Sequence, residues 1–357
     1  MTGEGRVPSR WIVSPSYDVV FFIASLLVPL TLWAAFHIGL ISGVVVFILF
    51  QLLFNMPHNV QTWTMSVFDR DDRQKNWARY AVAFAIIVLL FGIPMLVSPS
   101  GVLPWVRDAL VYWGYYHLVR QHYGFLRLYE RRSSLAGERV STFESKAYAR
   151  FVDIASYAPL LLRFRDPELM TIRVEGKVVW VRHPVLPELA WKGVLVVYVG
   201  VIALAIGHHI YGMIRGRKQM LPRALLLTSI TLAFSIAAIF VKNLVVAIAI
   251  VTSFHNLQYL GLVFFHNRNR ARIESTEARP PNTNPALALL RSGRWGIYGA
   301  LTMIYGVLLL IPMAVWPTVP LAELPITAVV ALHYYVDSRL WRFQDYPRLG
   351  EFLGLKA

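Results

Sequence analysis

Apolar residues run through this chain in long blocks, separated by short stretches crowded with Arg, Lys, Asp and Pro. Each block approaches the roughly 20 residues that a helix needs to cross a bilayer. The pattern predicts spans at Val19–Phe36, Ile41–Trp63, Tyr80–Val97, Leu103–Leu126, Ala147–Leu162, Leu189–Ile214, Ala224–Phe240, Leu244–Phe265, Gly296–Val315 and Leu321–Leu340. The expected fold is all-α: a polytopic integral membrane helical bundle of about ten transmembrane helices, forming one domain over residues 1–357. The fifth block is the shortest. Within the polar stretch Arg163–Lys192, the run TIRVEGKVVWV alternates and holds a Glu-Gly turn, which reads either as a small external β-hairpin or as a structured loop. Met1–Ser16 is mostly polar and the first apolar block is long enough to stay as a span, so no cleavable signal is expected.

Composition agrees with that pattern. The chain is 56% hydrophobic with mean hydropathy +0.50, against about 45–50% apolar in soluble domains. The net charge of +15 would suggest nucleic acid in a soluble protein. No RNA- or DNA-binding motif accompanies it, and the placement of Lys and Arg explains it better. The N-terminus, Arg70–Arg79, Arg127–Arg150, Arg215–Arg223, Arg268–Arg294 and the C-terminus share one side. They carry roughly 26 basic residues, against about 8 on the other side. Both termini are therefore expected in the cytoplasm of a multi-pass cell-membrane protein. The basic stretch Arg163–Lys192 is the exception. There is no cysteine, which excludes disulfides, thiolate metal sites and Cys nucleophiles.

Histidine changes the picture. Of ten histidines, His58, His117, His122, His208, His209, His255, His266 and His333 fall near the cytoplasmic edge. His37 and His183 lie toward the other edge and read as structural. The five even-numbered spans all end at the cytoplasm and carry or adjoin the eight. His58, His117, His122, His208, His255 and His333 form a layer roughly 6–15 Å below that end, at 1.5 Å per residue. Ionisable groups at such depth are functional candidates. A layer of imidazoles from helices far apart in sequence points to a metal site. Without thiolates, the ligands are His, carboxylate, amide or Tyr, which suit iron, zinc, copper or manganese.

Several local patterns sharpen this. His58-Asn59-Val60-Gln61 recurs as His255-Asn256-Leu257-Gln258. An internal duplication is one explanation and chance recurrence of four letters is the other. In each copy the Gln, at i+3, shares the face of its His. Gln61 and Gln258 are thus placed to orient an imidazole or donate to a ligand, or to make a polar helix contact. His117 and His122 are an i,i+5 pair about 140° apart on an ideal helix, so they serve one centre only with distortion or two metal ions. Arg120 is expected to be the most buried basic residue, in need of a carboxylate, a carbonyl or an anionic substrate group. His333 and Asp337, at i,i+4, face the same way as two ligands or as a His oriented by a carboxylate; Asp337 pairing with Arg339 or Arg342 is the plainer alternative. His208 and His209 diverge by about 100°, so one of them, taken as His209, is expected to face a shared site. His266 reads as solvated near a loop, and Asp18 and Asp153 as weaker ligand candidates. Aromatic residues including Trp63, Trp113, Tyr259 and Tyr334 can line a channel for an apolar chain or form an interfacial belt. Tyr259, Arg120, Gln61 and Gln258 are the expected catalytic groups. His58, His117, His122, His209, His255, His333 and Asp337 are the expected metal ligands. No glycine-rich phosphate loop, HExxH helix or nucleophile elbow occurs.

With about eight histidines on one side and the HxxxxH pair His117/His122, the chain resembles the His-rich membrane iron oxygenases and desaturases. It departs from them in lacking an HxxHH box, of which Gly207–His209 is only a fragment. In short patches it is also similar to the Brp/Blh family of membrane carotene dioxygenases. Met56-Pro57-His58-Asn59 looks like their PHG-type motif, with Asn59 in place of the Gly. Tyr115-Tyr116-His117 and His122-Tyr123-Gly124 look like their WHxG-type motifs. These resemblances imply an iron-dependent oxygenase or related oxidoreductase, a lipid or isoprenoid substrate entering from the bilayer, and an electron-donor protein as candidate partner. Two rivals stay open: a zinc-dependent membrane lipid hydrolase, and a transporter or lipid-binding protein with His/Asp proton relays.

Overall fold

The structure is a computed structural model that describes residues 10–97, 99–138, 140–174, 177–217, 220–276, 284, 288–289, 292–316 and 318–355. Ten long helical segments succeed one another: α1 (Pro15–His37), α2 (Gly43–Met65), α3 (Arg70–Val97), α4 (Pro99–Leu135), α5 (Thr142–Arg163), α6 (Glu188–Ile214), α7 (Leu221–Phe240), α8 (Leu244–Thr276), α9 (Gly296–Val315) and α10 (Leu324–Leu340). Between α5 and α6, strands β1 (Thr171–Val174) and β2 (Lys177–Trp180) pair antiparallel, with Ile172 opposite Val179. Residues 163–192 therefore contain a hairpin; its Glu-Gly turn lies outside the described residues.

Among the described residues, seven of the helices are long and apolar enough to cross a membrane: α1, α2, α3, α6, α7, α8 and α9. The remaining three expected spans are helical but miss that measure for local reasons. α10 is 17 residues long. α5 carries Glu144, Lys146, Arg150 and Asp153, and α4 carries Arg107, Asp108 and Arg120. α8 runs on to Thr276, beyond the expected end at Phe265. His266 consequently sits inside a helix and is buried against Trp341 and Phe352, not solvated near a loop.

The chain divides into two compact units. The first holds Met1–Phe47 and Leu118–Gln258; the second holds Ile48–His117 and Tyr259–Lys356. In the first, Phe22 packs on Phe125 with ring centroids 4.8 Å apart. Two buried charges there satisfy backbone groups. The Asp18 carboxylate accepts from the N–H of Ile12 at 2.7 Å and of Val13 at 2.9 Å, and from Tyr129 Oη at 3.0 Å. Asp18 is thus an N-terminal clamp and not a spare ligand, while Asp153 lies 3.5 Å from Arg150. The buried Arg163 guanidinium donates to the carbonyls of Ala237 at 2.8 Å and Val241 at 2.7 Å, at the end of α7 where helical carbonyls lack amide partners. One basic residue of the stretch Arg163–Lys192 is thus engaged with the main chain.

In the second unit α10 packs along α3 and against the last turns of α2, and α9 packs on the same turns. Those turns are irregular. Gln51–Asn55 is a π turn, and Met56-Pro57 begins the α-helical turns that follow. A proline ring in a regular helix clashes with the carbonyl four residues back, and the wider turn relieves that clash. Gly306 on α9 permits the close approach: a Cβ there would lie 2.7 Å from Met56 Cγ and 2.8 Å from Met56 Cβ.

Gly306→Val is expected to lower stability by about 1–3 kcal/mol through overpacking. Thermal melting in detergent measures it; an unchanged midpoint would mean that the contact with Met56 is loose.

Candidate metal centre

Four side chains that the sequence marks as ligands meet in the second unit. His58 stands two residues into the turns that follow the π segment, His117 lies on α4, and His333 and Asp337 lie one turn apart on α10. All four are buried. His58 Nε2 and His333 Nε2 are 2.8 Å apart. His117 Nε2 lies 3.7 Å from Asp337 Oδ2. Nitrogen or oxygen atoms of His117, His333 and Asp337 fall within 4.8 Å of one another. Two nitrogens bound in cis positions to one metal, each at about 2.0–2.1 Å, stand about 3 Å apart. The His58–His333 separation is close to that value.

The hydrogen bonds behind these groups fix their protons. Tyr259 Oη donates to Asp337 Oδ1 at 2.5 Å, and Trp341 Nε1 donates to the same oxygen at 3.2 Å. With its proton committed to Asp337, Tyr259 Oη accepts from Thr62 Oγ1, 3.1 Å away. Thr62, having given its one proton, accepts from His333 Nδ1 at 2.8 Å. His333 Nδ1 therefore carries the hydrogen and Nε2 presents its lone pair to the cluster. Two facing lone pairs at 2.8 Å repel, so without a cation His58 Nε2 holds a proton and donates it to His333 Nε2. A metal ion held between His58 and His333 would take the place of this proton. The Tyr334 ring covers His117 with centroids 4.8 Å apart. It fits because residue 114 is glycine: a Cβ there would meet Tyr334 Oη at 2.6 Å.

The other expected residues stand differently. Gln61 is buried on the helix of His58 and hydrogen-bonds Tyr298. His122, His209, His255, Gln258 and Arg120 belong to the first unit. There His122 stacks on Phe254, Gln121 donates to the His255 carbonyl at 2.9 Å, and Gln258 donates to the Phe22 carbonyl at 2.7 Å. The two HNxQ copies thus use their glutamines on unlike partners. His209 stacks on Tyr148. Arg120 departs from expectation: it is exposed, with its guanidinium 4.4 Å above the Tyr123 ring. Its charge meets a π face and is not enclosed by protein, so burial within the fold gives no reason for it to need an anionic partner. The deeply buried arginines are Arg163 and Arg223, both at helix ends, where composition alone reads only snorkelling charge.

Sequence reasoning missed Thr62 and Trp341. A signal was available: Thr62 follows His58 by four residues and Trp341 follows Asp337 by four, so each lies one turn along the same face. Threonine and tryptophan near a membrane interface are too common for that spacing to draw notice without the partner helices.

Beside this geometry, comparison of the chain with models of protein families, with curated proteins and with solved structures finds no match.

Proposed function

We propose that His58, His117, His333 and Asp337 hold a metal ion, and that the chain is an integral membrane oxidoreductase of the oxygenase type. Its metal is iron, and its substrate a lipid or isoprenoid that enters from the bilayer. The observation that supports this reading is the one-way hydrogen-bond series from His333 through Thr62 and Tyr259 to Asp337, which turns the lone pair of His333 Nε2 toward His58 Nε2 in a buried site. A ligand histidine has one nitrogen held by the protein and the other presented to the metal, and His58 and His333 present theirs to each other. Iron bound by imidazoles and a carboxylate keeps positions open and supplies O₂ activation when present.

The protein's own part is orientation and exclusion. Tyr259 and Trp341 hold Asp337 Oδ1, which leaves Oδ2 as the ligand oxygen. Trp63, Met65, Tyr80, Val263, Val336 and Leu340 form a buried apolar layer with Tyr259 and keep water from that side. The cell membrane is the proposed location, with ten spans and both termini in the cytoplasm. An electron-donor protein is the proposed partner.

One observation favours zinc as the second reading. The second unit brings together three imidazoles, the number of protein ligands that a catalytic zinc commonly uses. Of the eight histidines that carry the resemblance to iron enzymes, three stand at the centre itself. Zinc there, with a metal-bound water, would make the chain a lipid hydrolase.

Three outcomes follow from the proposal. Protein purified without added metal is expected to hold iron, and His58→Ala, His117→Ala and His333→Ala are each expected to lose it, by elemental analysis. Stoichiometric zinc in the wild type selects the hydrolase. Full metal content in all three variants removes the centre and leaves the buried hydrogen-bond series as a proton relay.

Thr62→Val keeps the side-chain shape and deletes the hydroxyl. It is expected to weaken metal binding by about 10–100-fold, whereas Thr62→Ser stays near wild type. Competition with a chelator measures both; equal affinities in the two variants would separate Thr62 from the centre.

The chain has no cysteine, so single introduced thiols report topology without background. With an impermeant thiol reagent on intact cells, Val185→Cys is expected to label and Ser134→Cys to label only after lysis. The reverse pattern would invert the proposed orientation.

A further inference from the structure

In the first unit, at the start of α5, the end of α6 and the start of α7, a group of buried polar atoms finds no partner among the described residues. Arg223 is 1% exposed. Its Nη2 donates to Glu144 Oε1 at 2.8 Å, while Nε and Nη1 have no acceptor. Tyr148 Oη and both ring nitrogens of His209 are buried and equally without partners. The three side chains form one stack. The Arg223 guanidinium lies 4.8 Å from the Tyr148 ring centroid, and the His209 ring is 5.4 Å from it, nearly parallel at 26°. Burying such groups unmatched costs about 1–3 kcal/mol each, so a stack left this unmatched among the described residues is built to receive a further polar partner.

Charge says what that partner is. Five charged groups gather here. Glu144 faces Arg223 at 2.8 Å and Arg217 at 3.9 Å. Glu130 is paired with Arg127 at 2.6 Å, and its Oε2 also accepts from Ser145 at 3.0 Å. His208 lies 3.9 Å from Glu144. Three arginines against two glutamates leave one positive charge before either histidine is counted. The unmatched atoms are mainly donors: three N–H hydrogens on Arg223, the Tyr148 hydroxyl and one N–H of His209. Donors on a planar fork, beside one excess positive charge, suit a phosphate ester carrying one negative charge. The positive ends of the α5 and α7 dipoles add to this. Directly beside His209, the last turns of α6 expose Ile210, Met213 and Ile214, an apolar track on which an acyl chain can lie.

We propose that Arg223, Tyr148 and His209 form a binding site for the phosphodiester of an anionic phospholipid, separate from the metal ligands of the second unit. Basic pockets between membrane helices near the interface recognise phospholipid headgroups by this chemistry. His209 thereby acts as a headgroup donor and not as a metal ligand.

The test uses the full chain in detergent, exposed to mixed micelles of phosphatidylglycerol or phosphatidylcholine, and separately to inorganic phosphate, with retained ligand read by native mass spectrometry. The wild type is expected to retain phosphatidylglycerol in preference to phosphatidylcholine. Tyr148→Phe, which keeps the stacked ring and deletes only the hydroxyl, is expected to lower that retention about tenfold. Arg217→Gln, at an exposed position, is expected to reduce the preference for the anionic lipid. Inorganic phosphate that binds alone and displaces the lipid supports the same phosphate chemistry with a soluble source. Absence of binding by either probe, or Tyr148→Phe and Arg223→Lys both binding as the wild type does, overturns the site. Should Arg223→Lys fail to fold, Tyr148→Phe decides the matter alone. Metal content should be unchanged in Tyr148→Phe, so failure here is distinguishable from failure of the metal centre.

Discussion

The proton that Tyr259 gives to Asp337 determines how the polar interior of the second unit is wired. A carboxylate only accepts, and a hydroxyl has one proton to give. Once the Tyr259 proton points at Asp337, the directions at Thr62 and His333 follow in turn. Reversing any member leaves two donors or two acceptors face to face in a buried place, at a cost of about 1–3 kcal/mol. The order is set by one acid on α10 and transmitted through α8 and α2 to a histidine that returns to α10. No single helix contains the instruction.

The first unit solves a related problem with full charges. Asp18 and Arg163 each satisfy main-chain groups that regular structure leaves unmatched: amides before the first helix turn for Asp18, carbonyls at the end of α7 for Arg163. Where water is scarce, an ionised side chain surrounded by backbone dipoles replaces solvent. Such residues look in the sequence like surface charges that strayed into apolar blocks. They are better understood as fixed parts of the main chain's hydrogen bonding.

Much of the helical order is legible in the sequence because hydropathy over 20 residues averages out local irregularity. All ten apolar blocks become helices, and the Glu-Gly turn with its alternating flanks marks the hairpin. The ends are less legible, since α8 continues into a polar stretch that helix propensity and packing sustain but hydropathy does not. At the site, His58, His117, His333 and Asp337 are readable as residue types at a common depth. Arg120 misleads because depth alone does not say which way a helix faces: six residues in from the expected cytoplasmic end at Leu126, it is exposed and lies against Tyr123. Thr62 illustrates the reverse case. Its role depends on partners 197 and 271 residues away, and no local pattern carries that information.

The π turn at Gln51–Asn55 bears on how this chain tolerates changes in length. A π turn is an α-helix with one residue too many, held in place by the proline that follows. Removing a single residue from Gln51–Asn55, with Pro57 replaced as well, would let the segment relax to α geometry and keep the backbone bonded throughout. Every side chain upstream would then turn by about 100° relative to His58. The helix would survive with its two ends out of phase, the lipid-facing side of one half continuing into the polar side of the other. In related chains, gaps in this segment should therefore come only with loss of Pro57, because the extra residue and the ring form a single inherited unit.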